Sequence, residues 1–359
     1  MNQNTNLIMK KFLSIVMVTI LSLSYNNTFA QEEESSAPAL SISGSADAYY
    51  RAVLSGGTND ASDGSSLAPS TSFANQTGFA LGMANVILGL EGEKSGFVAD
   101  LVFGPRGTDA VFGSTTASSS IVNQLYAYWN VSEAVTLTIG NFNTFLGYEV
   151  ISPTANYNYS TSYMFSYGPF SHSGLKADIT LGEASLMLAV LNPTDATDYN
   201  PTGDYFFGAQ LGFGGAYLNT ILGDDFYQVD LTAGWDLTDA IYLGVNATKA
   251  KDNFTGAALY VQNSFSDDFS LGIRGEYFKD EGVGAIALDE NVIDLTLSAN
   301  YSVGALTIIP EFRMDMLSYD GFVEDNDGWD LTDPDDPFLI NPTLSKSLSS
   351  FTLAAVYAF

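Results

Sequence analysis

Between Tyr227 and Asp236 the odd positions are Tyr227, Val229, Leu231, Ala233 and Trp235, and the even ones are Gln228, Asp230, Thr232, Gly234 and Asp236. From Ile293 to Tyr301 the pattern repeats, with Ile293, Leu295, Leu297, Ala299 and Tyr301 alternating with Asp294, Thr296, Ser298 and Asn300. A strand points successive side chains to opposite faces, so each segment makes a strand with one apolar and one polar face. Coiled as a helix, the same apolar residues would scatter around the cylinder. Similar segments lie at 40–54, 78–91, 96–104, 121–131, 134–142, 172–181, 183–192, 205–213, 215–223, 226–236, 241–250, 254–266, 269–279, 291–303, 305–316 and 347–359. The spacing thus predicts about 16 strands, an even number. The last strand ends on the final residue. Phe351, Leu353, Ala355, Tyr357 and Phe359 share its apolar face, and Lys346, Ser350 and Thr352 are expected on the other.

The connections alternate in length. Links after the even-numbered strands are short, among them Ser132–Glu133, Gly182, Gly214 and Gly304. Links after the odd-numbered strands are long at 55–77, 105–120, 143–171, 193–204, 280–290 and 317–346, and short near Asp224–Asp225 and Lys251–Asn253. Short turns on one rim and long loops on the other predict an all-β, transmembrane, antiparallel up-and-down barrel with both strand ends on the short-turn rim. A soluble sandwich would need a second sheet for the apolar face, and the absence of a repeat period speaks against a solenoid or propeller. Lipid covers that face once closure has paired every backbone amide. A terminal strand ending in Phe359 resembles the sorting signal that the barrel-assembly machinery reads on bacterial outer-membrane proteins.

The first 30 residues read as a targeting segment. Lys10 and Lys11 precede the apolar run Phe12–Leu23, and Thr28-Phe29-Ala30 places small residues for cleavage before Gln31. Domain expectations follow: signal peptide 1–30, a short periplasmic segment 31–38, and a barrel over 39–359. The expected compartment is the outer membrane of a Gram-negative bacterium, in contact with its lipids and lipopolysaccharide. Without Lys10 and Lys11, ten Lys and Arg face 41 Asp and Glu, a formal charge of −31. Such a chain repels nucleic acid and favours cations in a confined aqueous space. No cysteine is present, which excludes disulfides and thiolate chemistry.

Strand parity sends one set of charges inward. Glu311, Arg313 and Asp315 share a face, as do Arg274 and Glu276, Lys176 and Asp178, with Asp100, Asp230 and Asp294 on other strands. Arg313, Arg274 and Lys176, each with a carboxylate two residues away, are candidates for cross-lumen ion pairs and for a selectivity filter. The link 143–171 is too long for a tight connection and rich in aromatics, with Tyr148, Glu149, Tyr157, Tyr159, Tyr163 and His172 as its candidate functional residues. Two placements are open to it: folded into the lumen as a constriction, or outward as a surface loop. His172 is the only histidine. Its neighbours Ser171 and Ser173 point away from it on a strand, so a Ser–His hydrolase is disfavoured, and no catalytic, cofactor or transition-metal site is expected. The acidic run 320–336 fails the EF-hand template, because Gly328 comes too early and no Glu closes the loop. It is expected to stay wet, with loose divalent-cation binding as its sharper reading.

From Val135 to Ile179 the chain carries Gly140-Asn141-Phe142, Leu146-Gly147-Tyr148-Glu149, Asn156-Tyr157-Asn158-Tyr159-Ser160 and Pro169-Phe170-Ser171-His172-Ser173-Gly174. This block, about an eighth of the chain, resembles the OmpL-like β-barrel porins of Bacteroidetes. The resemblance implies a passive outer-membrane pore, names no substrate and carries over no catalytic residues; small solutes and ions are the expected cargo, and a homo-oligomer is separately an open possibility. The rivals are a non-conducting barrel that displays acidic loops for adhesion or cation binding, and a barrel hydrolase.

Overall fold

The structure, a computed structural model, describes residues 39–60, 65–325 and 342–359. Its strands are β1 (Ala39–Ser55), β2 (Gly78–Glu91), β3 (Ser95–Phe103), β4 (Val122–Ser132), β5 (Val135–Asn143), β6 (Ser171–Leu181), β7 (Ala184–Leu191), β8 (Phe206–Phe213), β9 (Ala216–Leu222), β10 (Tyr227–Asp236), β11 (Ile241–Ala250), β12 (Phe254–Ser264), β13 (Phe269–Asp280), β14 (Asn291–Val303), β15 (Leu306–Leu317), β16 (Phe322–Asp325), β17 (Thr343–Ser345) and β18 (Ser347–Ala358). All but β16 and β17 form one closed barrel of 16 strands in up-and-down order. Every strand edge lies within two residues of the edge that alternation predicts. Alternation did not predict the β16–β17 ribbon, nor the short helices Pro105–Ala110 and Tyr163–Tyr167 inside long loops. Of the acidic run 320–336, residues 326–336 lie outside the described residues, as does the expected targeting segment.

The seam that closes the barrel joins β1 to β18, in register from Ser45↔Ala358 to Val53↔Ser350. Phe359 extends it, exchanging two 3.0 Å backbone bonds with Gly44. A Cβ on Gly44 would stand 2.1 Å from the Asn85 carbonyl oxygen and 2.9 Å from the Phe359 ring, so the seam needs glycine there. On the short-turn rim, Gly214 and Gly215 both have positive φ, 59° and 82°, the left-handed pair that a two-residue hairpin requires.

Parity holds on β18. Leu353, Tyr357 and Phe359 are exposed on the outer face, while Ser350 and Thr352 are buried on the inner one. Lys346 is a correction: it precedes β18 and is exposed, so it forms no part of the inner wall. Trp129, Phe213, Tyr217, Trp235, Phe265, Phe269, Tyr301, Tyr357 and Phe359 are all exposed beside the short-turn rim. Amphipathic rings at that level form the aromatic girdle of a membrane barrel. The inner face is less polar than a water-filled tube requires: Tyr49, Ile309, Ala354 and Val356 are buried there around Tyr159 of the 144–170 loop.

Deleting Phe359 removes two seam hydrogen bonds and one girdle ring. The expected outcome is a several-fold fall in folded barrel recovered from outer membranes, measured by heat-modifiable electrophoretic mobility. Barrels that do fold keep the stability of the remaining ladder.

Candidate functional site

The 144–170 loop leaves β5 on the long-loop rim and turns back into the barrel. Ser162 caps the helix Tyr163–Tyr167, its side chain accepting from Phe165 N at 3.1 Å. Before the helix, residues 157–162 follow an irregular, bent path along the inner wall, and the wall supplies what their backbone lacks. Glu311 on β15 accepts from Tyr159 N at 2.7 Å and Ser160 N at 3.0 Å. Glu276 on β13 accepts from Tyr163 N and Met164 N, both at 2.8 Å. Glu149, within the loop, accepts from Ser162 N at 2.7 Å. Arg274 donates to the Ser160 carbonyl and Arg313 to the Thr161 carbonyl, each at 2.7 Å. Four charged side chains thus pair with a segment that has no regular secondary structure, and Glu276 pairs with the first turn of the helix; buried backbone groups need such partners.

The charges are also paired with one another. Arg274 bridges Glu149 at 2.7 Å and Asp294 at 3.2 Å. Arg313 bridges Asp294 and Asp315, both at 2.8 Å. None of these crosses an open lumen; they run along the wall or into the loop. Asp230 on β10 accepts from Gly147 N at 2.9 Å and from Asn219 and Asn246. Asp100 likewise accepts from Asn85 and Asn123. Eight of the ten charges expected to face inward, Arg274, Glu276, Asp294, Glu311, Arg313, Asp315, Asp230 and Asp100, are at most 4% exposed. Their charge is held by the loop, by each other and by asparagine amides of the wall. Lys176 and Asp178 differ: their side chains are 25% and 43% exposed, and they pair at 2.7 Å on one strand.

The loop candidates are brought together with the wall. Tyr148 stacks on Tyr260 of β12 with ring centroids 4.2 Å apart. The Tyr157 carbonyl accepts from Asn300 at 3.0 Å, and its ring lies against Gly272, where any side chain would collide with it. Tyr159, fully buried, donates its hydroxyl to Asp47 of β1. Tyr163, also fully buried, packs on Phe278. His172 is buried, with Nε2 2.9 Å from the Thr144 hydroxyl. That contact ties the loop base to β6. The Ser173 hydroxyl bonds to Asn141 and the Thr197 carbonyl and makes no contact with the imidazole.

Several anchors escaped the sequence reading. Arg106 reaches from the 104–121 loop to the carbonyls of Ile151 and Tyr159, at 2.9 and 3.3 Å, and lies 4.5 Å over the Phe73 ring. Asp195 accepts from Phe170 N and Ser171 N at 2.7 and 2.9 Å. Both sit in loops without alternation, so nothing in the local pattern marks them. Asp47 and Arg51 had a usable signal, because they share the inward parity of β1 with Tyr49.

Against β4–β8 the inner face is not covered in the same way. Tyr126, Tyr128, Thr136 and Gln210 are partly exposed there beside Lys176 and Asp178. They line a cavity of about 340 Å³ whose upper edge is made by Phe142, Asn143 and Phe145. Over residues 39–359 the chain matches the family described as "Putative beta-barrel porin-2, OmpL-like". The chain belongs to that porin family. Family and barrel together indicate an outer-membrane location. Among solved structures, the outer-membrane channel DcaP of Acinetobacter baumannii is similar with 12% identity and a TM-score of 0.55, covering 92% of this chain and 100% of that one. OmpT of Vibrio cholerae, folded in vitro, is similar with 13% identity and a TM-score of 0.50, again over 92% and 100%. At these identities the likeness is one of fold. No curated protein matches the chain in sequence.

Glu311→Ala strips the partner from two buried backbone N–H groups, at about 1–3 kcal/mol each. The amides of Tyr159 and Ser160 are expected to lose hydrogen-exchange protection at least tenfold, while the ladder amides of β9–β12 keep theirs. Unchanged protection at both would show that the carboxylate is not the anchor.

Proposed function

We propose that the barrel is a passive diffusion pore whose lumen the folded-in 143–171 loop narrows to a passage beside β4–β8. One observation carries this reading. Inner-wall side chains on β13–β15 are buried under the loop, while Tyr126, Tyr128, Lys176, Asp178 and Gln210 on the opposite arc remain in contact with open space. Small hydrophilic solutes descend their gradients there without reaction chemistry. The barrel removes the hydrocarbon barrier and the loop sets the size limit.

A cation preference belongs to the same proposal. Lys176 and Asp178 balance on the passage wall, and at the long-loop rim Asp225 and Asp252 share Lys251 while Asp289 pairs with Lys279, so the bias comes from rim carboxylates without a lysine partner, such as Asp224 and Asp320, both exposed. Screening at physiological salt acts over about 8 Å, which keeps such a rim effect modest. Cleavage after Ala30, a periplasmic segment 31–38, and recognition of the Phe359 strand by the assembly machinery complete the picture. A homo-oligomer is included, because one similar structure of Vibrio cholerae OmpT, with 11% identity and a TM-score of 0.50, is described as a trimer form. The rival, a non-conducting barrel that displays acidic loops, draws on the same exposed carboxylates.

Planar-bilayer recording separates the two. The intact protein is expected to give steady ohmic steps, and deletion of 150–166 to raise unit conductance at least twofold. Silence from correctly folded protein would favour the rival, and unchanged conductance in the deletion would remove the loop from the passage. In a tenfold salt gradient the reversal potential is expected on the cation side, shrinking as ionic strength rises; an anion-side value would contradict the bias.

A further inference from the structure

The cavity against β4–β8 has a composition unlike that of the rest of the lumen. Four rings border it: Tyr126 and Tyr128 on β4, Phe142 at the end of β5, and Phe145 in the loop. Three amides stand among them with unspent hydrogen-bonding capacity. Asn143 Oδ1 is buried and has no partner. Gln124 uses its Oε1 to accept from Asn143 N at 3.1 Å, leaving its NH₂ group free. Gln210 donates its NH₂ to Asn219 Oδ1 at 2.8 Å and to the Phe145 carbonyl at 3.3 Å, leaving its Oε1 free. Buried polar atoms are normally paired, so an orphaned acceptor at a cavity edge points to a hydroxyl or water as its partner.

The charges at the cavity decide the ligand class. Lys176 Nζ meets Asp178 Oδ2 at 2.7 Å and lies 5.4 Å from the centre of the Phe142 ring. The two charges neutralise one another along β6, and no third ionisable side chain borders the cavity apart from the two tyrosines. An ion would find no uncompensated partner here. A purely apolar solute would leave the amide groups unpaired, at about 1–3 kcal/mol each. A pyranose fits both halves of the surface: its C–H faces lie on aromatic rings, and its hydroxyls both donate and accept. The volume, about 340 Å³, falls in the range of small-ligand sites, roughly 300–1,000 Å³.

Building on the pore reading above, we infer that this cavity is a lumenal subsite for neutral sugars, held by the Tyr126 and Tyr128 rings and the amides of Gln124, Asn143 and Gln210. Its place beside the loop puts it on the diffusion path. Weak, saturable binding there would concentrate sugars in the passage without trapping them.

The test reads binding and conduction separately. Saturation-transfer NMR is run on refolded, heat-modifiable protein in detergent micelles with sucrose, and with glycylglycine and sodium gluconate as zwitterionic and anionic controls. Sucrose is expected to bind saturably in the millimolar range, with both controls at least fivefold weaker. Tyr126→Ala/Tyr128→Ala is expected to weaken sucrose roughly tenfold through lost ring contacts. Asn143→Ala, which leaves the rings in place, is expected to weaken it severalfold, so the inference does not depend on one variant folding. In bilayers, sucrose is expected to reduce ion current saturably in the wild type and less in the variants. Absence of saturation transfer from sucrose, or equal binding of glycylglycine, overturns the subsite even where the channel conducts. Absence of conductance with sucrose binding intact overturns the pore reading and leaves the subsite standing.

Discussion

A backbone amide in hydrocarbon has no water to bond to, so a sheet that crosses a bilayer must close on itself. Everything else in this chain follows from that demand. With every neighbouring pair antiparallel, closure makes the strand count even, returns both strand ends to one rim, and brings Ala39–Ser55 against Ser347–Ala358 although some 300 residues separate them. The seam is where closure has least tolerance. There Gly44 omits its side chain so that Phe359 can complete the ladder. Outward positions then need only be apolar, with rings at the short-turn rim. Inward positions are released to do something else.

What they do is hold a loop. A 16-strand barrel is wider than its own side chains can fill, and the 144–170 segment occupies much of the space. Its stretch 157–162 has no regular backbone ladder, so burying it demands partners. The wall presents carboxylates to its N–H groups and guanidinium groups to its carbonyls. Glu311 and Glu276 each take two adjacent amides, a charge-assisted arrangement stronger than neutral bonds. Arg274 and Arg313 are shared among the carboxylates of Glu149, Asp294 and Asp315 in the same buried cluster, so acids outnumber the bases there. Breaking such a pair by removing one member leaves a buried charge, at about 3–5 kcal/mol. The loop is therefore fixed against one arc of the wall, and the open space lies against the other.

This asymmetry also redistributes the chain's acidity. A formal charge of −31 over residues 31–359 implies a strongly cation-selective tube only if the carboxylates face open space in the lumen. Many of those on the wall instead face backbone amides, and the Lys176–Asp178 pair leaves the open arc near neutrality. Aromatic rings and amides dominate that arc, which suits uncharged hydroxylated solutes better than ions.

Strand identity, strand edges and the side that each residue faces were legible in the alternation of Tyr227–Asp236, Ile293–Tyr301 and the terminal strand, because a period of two against lipid leaves little freedom. Parity also picked out Arg274, Glu276, Asp294, Glu311, Arg313 and Asp315 as inward. It could not say whether inward meant facing water or facing protein. That depends on where the 144–170 loop goes, and the loop is steered by contacts far apart in sequence: Asp47 to Tyr159, Arg106 to Ile151, Asp195 to Phe170. Such contacts carry no local periodicity. A closed membrane barrel with charges on its inner face could be read from the chain, because alternation is local and repeats strand after strand. That most of those charges anchor a loop, while Tyr126, Tyr128 and Gln210 line the remaining space, emerges from the folded arrangement, because one long segment's choice of wall fixes which arc is buried.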